Sequence, residues 1–246
     1  VYCFSFESGK KLWEREANVG KPLTPRHIKN NYAPETQVTD GDLVYTYFAD
    51  QGLFAHDLDG KLKWKRGMKA YKTRYNWGGA ASPALHGDFI YILNDNEQSS
   101  FIEAIDKKTG ETSWRRDRDE KSNWSTPFVW ETPLRTEIIP PGTGKPRSYG
   151  LDGTLLWELV ADMSSITIAT PFTAHGLLYV TSGYVGDERK PIYATHPGGK
   201  GTINLKKEGP VDKSIAWRQP KAAPYNPSTL AYKDLLYVLY DFGFFA

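Results

Sequence analysis

A glycine stands four residues ahead of a tryptophan at four places in this chain: Gly9 with Trp13, Gly60 with Trp64, Gly110 with Trp114, and Gly153 with Trp157. A unit that recurs at one phase must bury its apolar face against copies of itself, so the chain is restricted to an array or ring of like modules. A fifth tryptophan, Trp217, continues the series, and successive members lie 51, 50, 43 and 60 residues apart. This approaches the roughly 40 to 50 residues of a four-stranded propeller blade. The long last interval is explained by an inserted loop, Thr195 to Pro210, rich in glycine, proline and lysine.

One copy shows what the unit contains. Ser82 to Leu85 leads into a turn at His86-Gly87-Asp88, then come apolar runs Phe89 to Leu93 and Phe101 to Asp106, a hairpin at Lys107 to Gly110, and a closing strand through Trp114. Four short strands joined by tight turns make a meander. The expected fold is all-β, a β-propeller of four-stranded antiparallel blades. About five blade equivalents are present as an open or partial ring: half blade 1–16, blades 36–66, 82–116, 126–160 and 170–219, and half blade 228–246. A β-sandwich also uses short strands, but nothing in it would repeat the same glycine and tryptophan. Trp13, Trp64, Trp114, Trp157 and Trp217 are read as inter-blade packing, and Gly9, Gly60, Gly110 and Gly153 as hairpin residues with positive φ.

Composition narrows the chemistry. With 31 Lys+Arg against 29 Asp+Glu, no basic excess suggests nucleic acid. No apolar run is long enough for a membrane helix. The single cysteine, Cys3, sits in an apolar alternation as a small hydrophobe and precludes an internal disulfide. The five histidines do not cluster, and no metal site is expected. Residues 139–146 imitate a phosphate loop, but Ile139 and Pro146 replace its leading glycine and its hydroxyl residue, so a loop between two strands is expected. The mixed-sign run Arg115 to Lys121 reads as a solvated strand end. Asn123-Trp124-Ser125 matches a glycosylation acceptor.

Two features point to a binding face. Alignment of the units places a hydroxyl residue at one position of every copy, Thr36, Ser82, Thr126, Thr170 and Ser228, where the first strand opens. These hydroxyls either ring one mouth of the axial channel or cap the backbone of their own turns. The loops leading into the same strands carry Arg26, His27 and Tyr32, then Arg74, Tyr75 and Trp77, then Trp124, then Tyr225, with Asn30, Asn31, Asn76, Asn123 and Asn226 among them. Aromatic and amide groups with two arginines suit a flat polar ligand or a peptide.

The repeat Ala104-x-Asp106-x-x-Thr109-Gly110-x-x-x-Trp114, with a shorter variant from Ala55 to Trp64, resembles that of the pyrroloquinoline-quinone-like (PQQ-like) repeat family over essentially the whole chain. The resemblance implies an exported bacterial propeller of seven or eight blades, two or three more than are present, and an extracytoplasmic location. It also brings PQQ and calcium into view, because some members are quinoprotein dehydrogenases. Those enzymes carry a vicinal cysteine pair and a carboxylate constellation with calcium ligands, neither of which this sequence displays. The expectation is therefore a non-catalytic scaffold that binds a protein or envelope component or a ligand, without a cofactor. The alternative is part of a quinoprotein dehydrogenase-like enzyme whose cofactor and catalytic residues lie in further blades.

Overall fold

A computed structural model describes residues 1–206 and 211–243 of the chain. It opens with a two-stranded sheet, β1 (Tyr2–Phe4) and β2 (Lys11–Glu14). Two four-stranded antiparallel meanders follow. The first comprises β3 (Val38–Thr39), β4 (Leu43–Phe48), β5 (Gly52–Asp57) and β6 (Leu62–Gly67), and the second β7 (Ala84–His86), β8 (Phe89–Asn94), β9 (Ser100–Asp106) and β10 (Thr112–Arg118). The third contains β11 (Phe128–Glu131), β12 (Thr136–Ile139), β13 (Arg147–Tyr149) and β14 (Leu155–Val160). The fourth contains β15 (Phe172–Ala174), β16 (Leu177–Thr181), β17 (Ile192–Thr195) and, after the short β18 (Gly201–Asn204), β19 (Ile215–Gln219). A two-stranded sheet of β20 (Leu230–Tyr232) and β21 (Leu235–Tyr237) comes last. These are the blades of a partial propeller. Among the described residues the two end sheets pair only within themselves, so no shared blade closes the ring. Among the described residues helix is confined to single 3-10 turns at Arg74–Asn76 and Asp241–Gly243.

The core is a series of slabs between successive sheets, because alternate residues of a strand face opposite neighbours. Tyr45, Leu53 and Ala55 of the first full sheet pack on Ile90, Ile92 and Ile105 of the second. Tyr91, Leu93, Ala104 and Trp114 of the second sheet pack on Ile138 and Tyr149 of the third. Opposite each repeat tryptophan stands a small residue: Cys3 with Trp13, Ala55 with Trp64, Ala104 with Trp114, Ser148 with Trp157, and Ala194 with Trp217. Cys3 occupies this small-residue slot.

The tryptophans bind each sheet to the next. A Cβ added to Gly60 would lie 2.7 Å from the Trp13 ring, one on Gly110 2.6 Å from Trp64, and one on Gly153 2.7 Å from Trp114. The ring therefore occupies the volume a side chain would need, while φ of +78°, +77° and +80° at these glycines separately disfavours other residues. Each indole Nε1 donates to a carbonyl of the same hairpin, Trp13 to Leu58 at 2.8 Å, Trp64 to Lys107 at 3.0 Å and Trp114 to Leu151 at 2.7 Å. Two residues after each tryptophan an arginine, Arg15, Arg66 or Arg116, donates to the carbonyl of that neighbouring glycine at 2.7, 3.3 and 2.9 Å. At Gly9, with φ +66°, nothing lies within 4 Å of an added Cβ.

The insertion departs from expectation. Instead of remaining a loop, it contributes β18, which pairs in parallel with β14 of the preceding blade from Trp157 with Gly201 to Val160 with Asn204. Residues 170–219 are thus shared between two sheets. The physical reason lies at Trp157, which has no tight glycine hairpin from the next blade to cover it. Gly199 approaches its ring instead, with an added Cβ at 3.1 Å, and Ile203 joins Trp157 in the core. Residues 207–210 of the insertion, and residues 244–246 of the last expected half blade, lie outside the described residues.

Candidate functional site

Strand alternation sorts the connections. Those between blades and those from second to third strand lie at one end of the sheets, and the tight glycine hairpins lie at the other. The candidate ligand residues are on the between-blade connections and so share one end. There, residues of all five such connections meet in a cleft of about 610 Å³. His27, Trp77, Trp124 and Tyr225 line it, joined by Lys29, Asn30, Ala80, Ile168, Tyr184 and Asn226.

Aromatic rings form the walls. Trp77 lies edge-on to His27 at 4.8 Å between centroids, 5.6 Å from Trp124 and 5.1 Å from Tyr75, while Tyr184 and Tyr225 meet at 5.1 Å. Trp77 follows a strained turn in which Tyr75 and Asn76 both hold φ of 55°. Such left-handed backbone in residues with side chains is costly and persists where surrounding contacts impose it. Here Arg74 supplies several of those contacts: its N–H donates to Ser122 Oγ at 2.8 Å, its guanidinium to the Ser165 carbonyl at 2.9 Å, and its charge lies over the Tyr75 ring.

Trp124 is less available than the sequence suggests. It is buried, and its indole donates to the Gly78 carbonyl at 2.7 Å, so it supports the Trp77 loop and offers only part of its ring. Its neighbour Asn123 is also buried and donates Nδ2 to Asp95 and to the Pro141 carbonyl, so the asparagine of the acceptor-like motif is held away from solvent. Arg118 completes this support by gripping Asp95 through Nε and Nη2 at 2.8 and 3.1 Å. The run Arg115 to Lys121 is therefore not a wholly solvated strand end: Arg118 and Glu120 are buried. Glu120 explains the segment that imitates a phosphate loop. The Gly144 and Lys145 N–H groups bind its carboxylate at 2.8 and 2.9 Å, filling the anion cradle from within.

Arg26 and Tyr32 do not join the cleft. They stack on each other at 5.1 Å and border a separate small hollow with Glu35, Ala49 and Gly78. The hydroxyl positions lie two residues before each first strand, and two of them bond to the previous blade and not to their own turns. Ser82 Oγ accepts from the Thr36 N–H at 2.9 Å, and Thr126 Oγ1 from the Ser82 N–H at 3.1 Å. These hydroxyls latch one blade to the previous one; at the following junction Ser125 Oγ donates to the Ala169 carbonyl at 2.7 Å.

The polar character of the cleft is mild. His27 Nδ1 accepts from the Lys29 N–H at 3.2 Å, which leaves the proton of a neutral ring on Nε2. Burial, with Tyr184 and Asp241 adding, pushes the Tyr225 hydroxyl up to about 12, so it remains a neutral phenol at physiological pH. Asp241 lies behind the wall, accepting from the Tyr225 N–H at 3.0 Å and from Asn226 Nδ2 at 2.8 Å. No carboxylate belongs to the lining itself among the described residues. The walls fit a flat ring, but the lining lacks the carboxylate oxygens that calcium favours, so a quinone–calcium pair does not fit this donor set.

Residues 1–117, just under half of the chain, match the PQQ_2 family model, described as outer membrane protein assembly factor BamB. BamB from Moraxella catarrhalis superposes with a TM-score of 0.52 at 14% identity, over 97% of this chain and 75% of that one. A europium-containing methanol dehydrogenase superposes with a TM-score of 0.61 at 9% identity, over 96% of this chain and 61% of that one. The fold is the β-propeller these structures share, and residues 1–117 resemble the PQQ-like repeat family. A quinohemoprotein alcohol dehydrogenase from Comamonas testosteroni shares the fold over 79% of this propeller and 36% of its own length, at 13% identity and a TM-score of 0.50. The propeller thus spans less than two thirds of either dehydrogenase chain, and at these identities the structural likenesses carry the fold alone. No curated protein sequence matches it.

Sequence reasoning missed Lys29, Ala80, Ile168 and Tyr184. Tyr184 was accessible to it: Ser182-Gly183-Tyr184 follows a second strand, and strand alternation puts that connection at the same end as the between-blade loops.

Proposed function

We propose that this PQQ-like propeller is a non-catalytic binding scaffold whose aromatic cleft receives a protein segment or a flat, weakly charged ligand. The observation that carries this reading is the convergence of His27, Trp77, Tyr184 and Tyr225 from separate connections onto one cleft of about 610 Å³. Aromatic faces with a few amide and amine groups give orientation-specific contact at little ordering cost. Family resemblance supports an extracytoplasmic location and a protein or envelope partner. Part of a quinoprotein dehydrogenase is the competing assignment, supported by the likeness to methanol dehydrogenase.

Calorimetric titration with PQQ and calcium, followed by dye reduction with alcohols and aldose sugars, separates the two. The expected outcome is no turnover, because no lining carboxylate is placed to hold the metal or take a substrate proton. Stoichiometric quinone binding with turnover overturns the non-catalytic assignment. Quinone binding without turnover, lost in Trp77→Ala, would retain the cleft as a ligand site.

A further inference from the structure

The insertion that adds β18 also builds a second cleft, of about 570 Å³, which shares no lining residue with the aromatic one. Asp162, Arg189, Lys206 and Arg218 line it with Tyr193 and Leu205. Arg189 and Lys206 converge on the same Asp162 oxygen at 2.9 and 3.1 Å, so one carboxylate answers two cations. The third cation, Arg218, reaches the Leu205 carbonyl at 3.4 Å, and among the described residues no carboxylate pairs with it. Pro191, Pro220 and Leu205 give the same cleft an apolar side. The local sequence is similarly biased: residues 200–221 carry six lysines and arginines against two carboxylates, in a chain with a formal net charge of only +2.

We infer that this cleft is a docking site for an acidic, extended segment of a partner protein. Its three cations and one carboxylate call for an occupant with more than one negative group. Exposure of Arg189 at 64% and Lys206 at 53% makes it an open groove, unlike the enclosed cage expected around a single small anion. A peptide can lay its backbone along exposed Pro220 and half-buried Leu205 while its carboxylates meet Arg218 and Lys206. Nucleic acid suits the groove less well. Tyr193 is only 4% exposed and its hydroxyl is held by the Asp162 carbonyl, so it offers no stacking platform, and the nearly balanced chain supplies no broad field to follow a phosphate backbone. The insertion is the part of the fourth blade that departs from the repeat, and loops grafted on a constant frame are where propellers differ in function.

Fluorescence anisotropy tests the assignment, using a short fluorescein-labelled peptide that alternates glutamate with serine at low ionic strength. Lys206→Ala with Arg218→Ala should weaken binding about tenfold or more, while Lys65→Ala on another blade should leave it unchanged. Melting temperatures establish that each variant is folded, and Lys206→Gln alone replaces the double variant if that one fails to fold. Equal affinity of wild type and groove variant, no binding by the wild type, or tighter binding of a single-stranded oligonucleotide of matched charge each overturns the proposal.

Discussion

At the scale of single residues, the tryptophans stabilise by filling space and their glycine partners by vacating it. Trp64→Ala and Trp114→Ala should each cost about 3 to 5 kcal/mol, as removal of a large packed side chain does, and denaturant unfolding would show it. Losses below about 1 kcal/mol at both sites would contradict the packing described. Glu35 is legible only in three dimensions. Its Oε1 accepts from the Ala49 N–H at 3.1 Å, its Oε2 is buried without a partner, and burial, with Asp50 adding, pushes the carboxyl up to about 7. A carboxyl raised in the folded state contributes stability that is full below its ordinary value and is lost as pH rises through about 7. The fall in melting temperature between pH 5.5 and 8 should therefore be smaller in Glu35→Gln than in wild type, and an equal fall in both would remove Glu35 as a cause. In sequence, Glu35 is one more polar loop residue, because desolvation depends on neighbours far along the chain.

Among the elements, the meanders and their glycine hairpins were readable because each local turn has its own residue signal. A second signal passed unread: Trp13, Trp64 and Trp114 are each followed two residues later by the arginine that binds the next hairpin, whereas Leu159 and Gln219 stand at the equivalent places after Trp157 and Trp217. That break marks the blade whose neighbour supplies β18, a strand masked by glycine and proline at its borders. The same blade uses Glu137, fully buried, whose carboxylate accepts from Trp157 Nε1 at 2.8 Å, from Arg135 Nε at 2.8 Å and from Ser148 Oγ. Glu137→Ala should cost about 3 to 5 kcal/mol, since it strands three donors, one of them charged. Glu137→Gln, which keeps an acceptor, should cost less. Unfolding curves for the two variants check the order, and a neutral Glu137→Ala would mean that solvent reaches these donors.

For the whole molecule, the ring architecture was legible from periodicity, but the cleft was not, since aromatic loop residues reveal their convergence only once the blades are in place. Apolar side chains are exposed in the sheets at both ends: Tyr2 at 58%, Phe4 at 57%, Leu230 at 62% and Tyr232 at 59% exposure. Exposed apolar patches of this kind draw copies of a chain together. The 246-residue chain should accordingly associate as its concentration rises in sedimentation velocity, and serine at Phe4 and Tyr232 should reduce the association. A monomer at every concentration would show that these surfaces are inert. The tryptophan docking has a direction, and direction matters during synthesis. Trp13, Trp64 and Trp114 each rest on a hairpin that leaves the ribosome after them, so every blade waits for its successor before its own outer strand is locked. Growth from the amino terminus always trails one unfinished edge, and a ribosome stalled before Gly153 would leave Trp114 unseated while Trp13 and Trp64 were already in place.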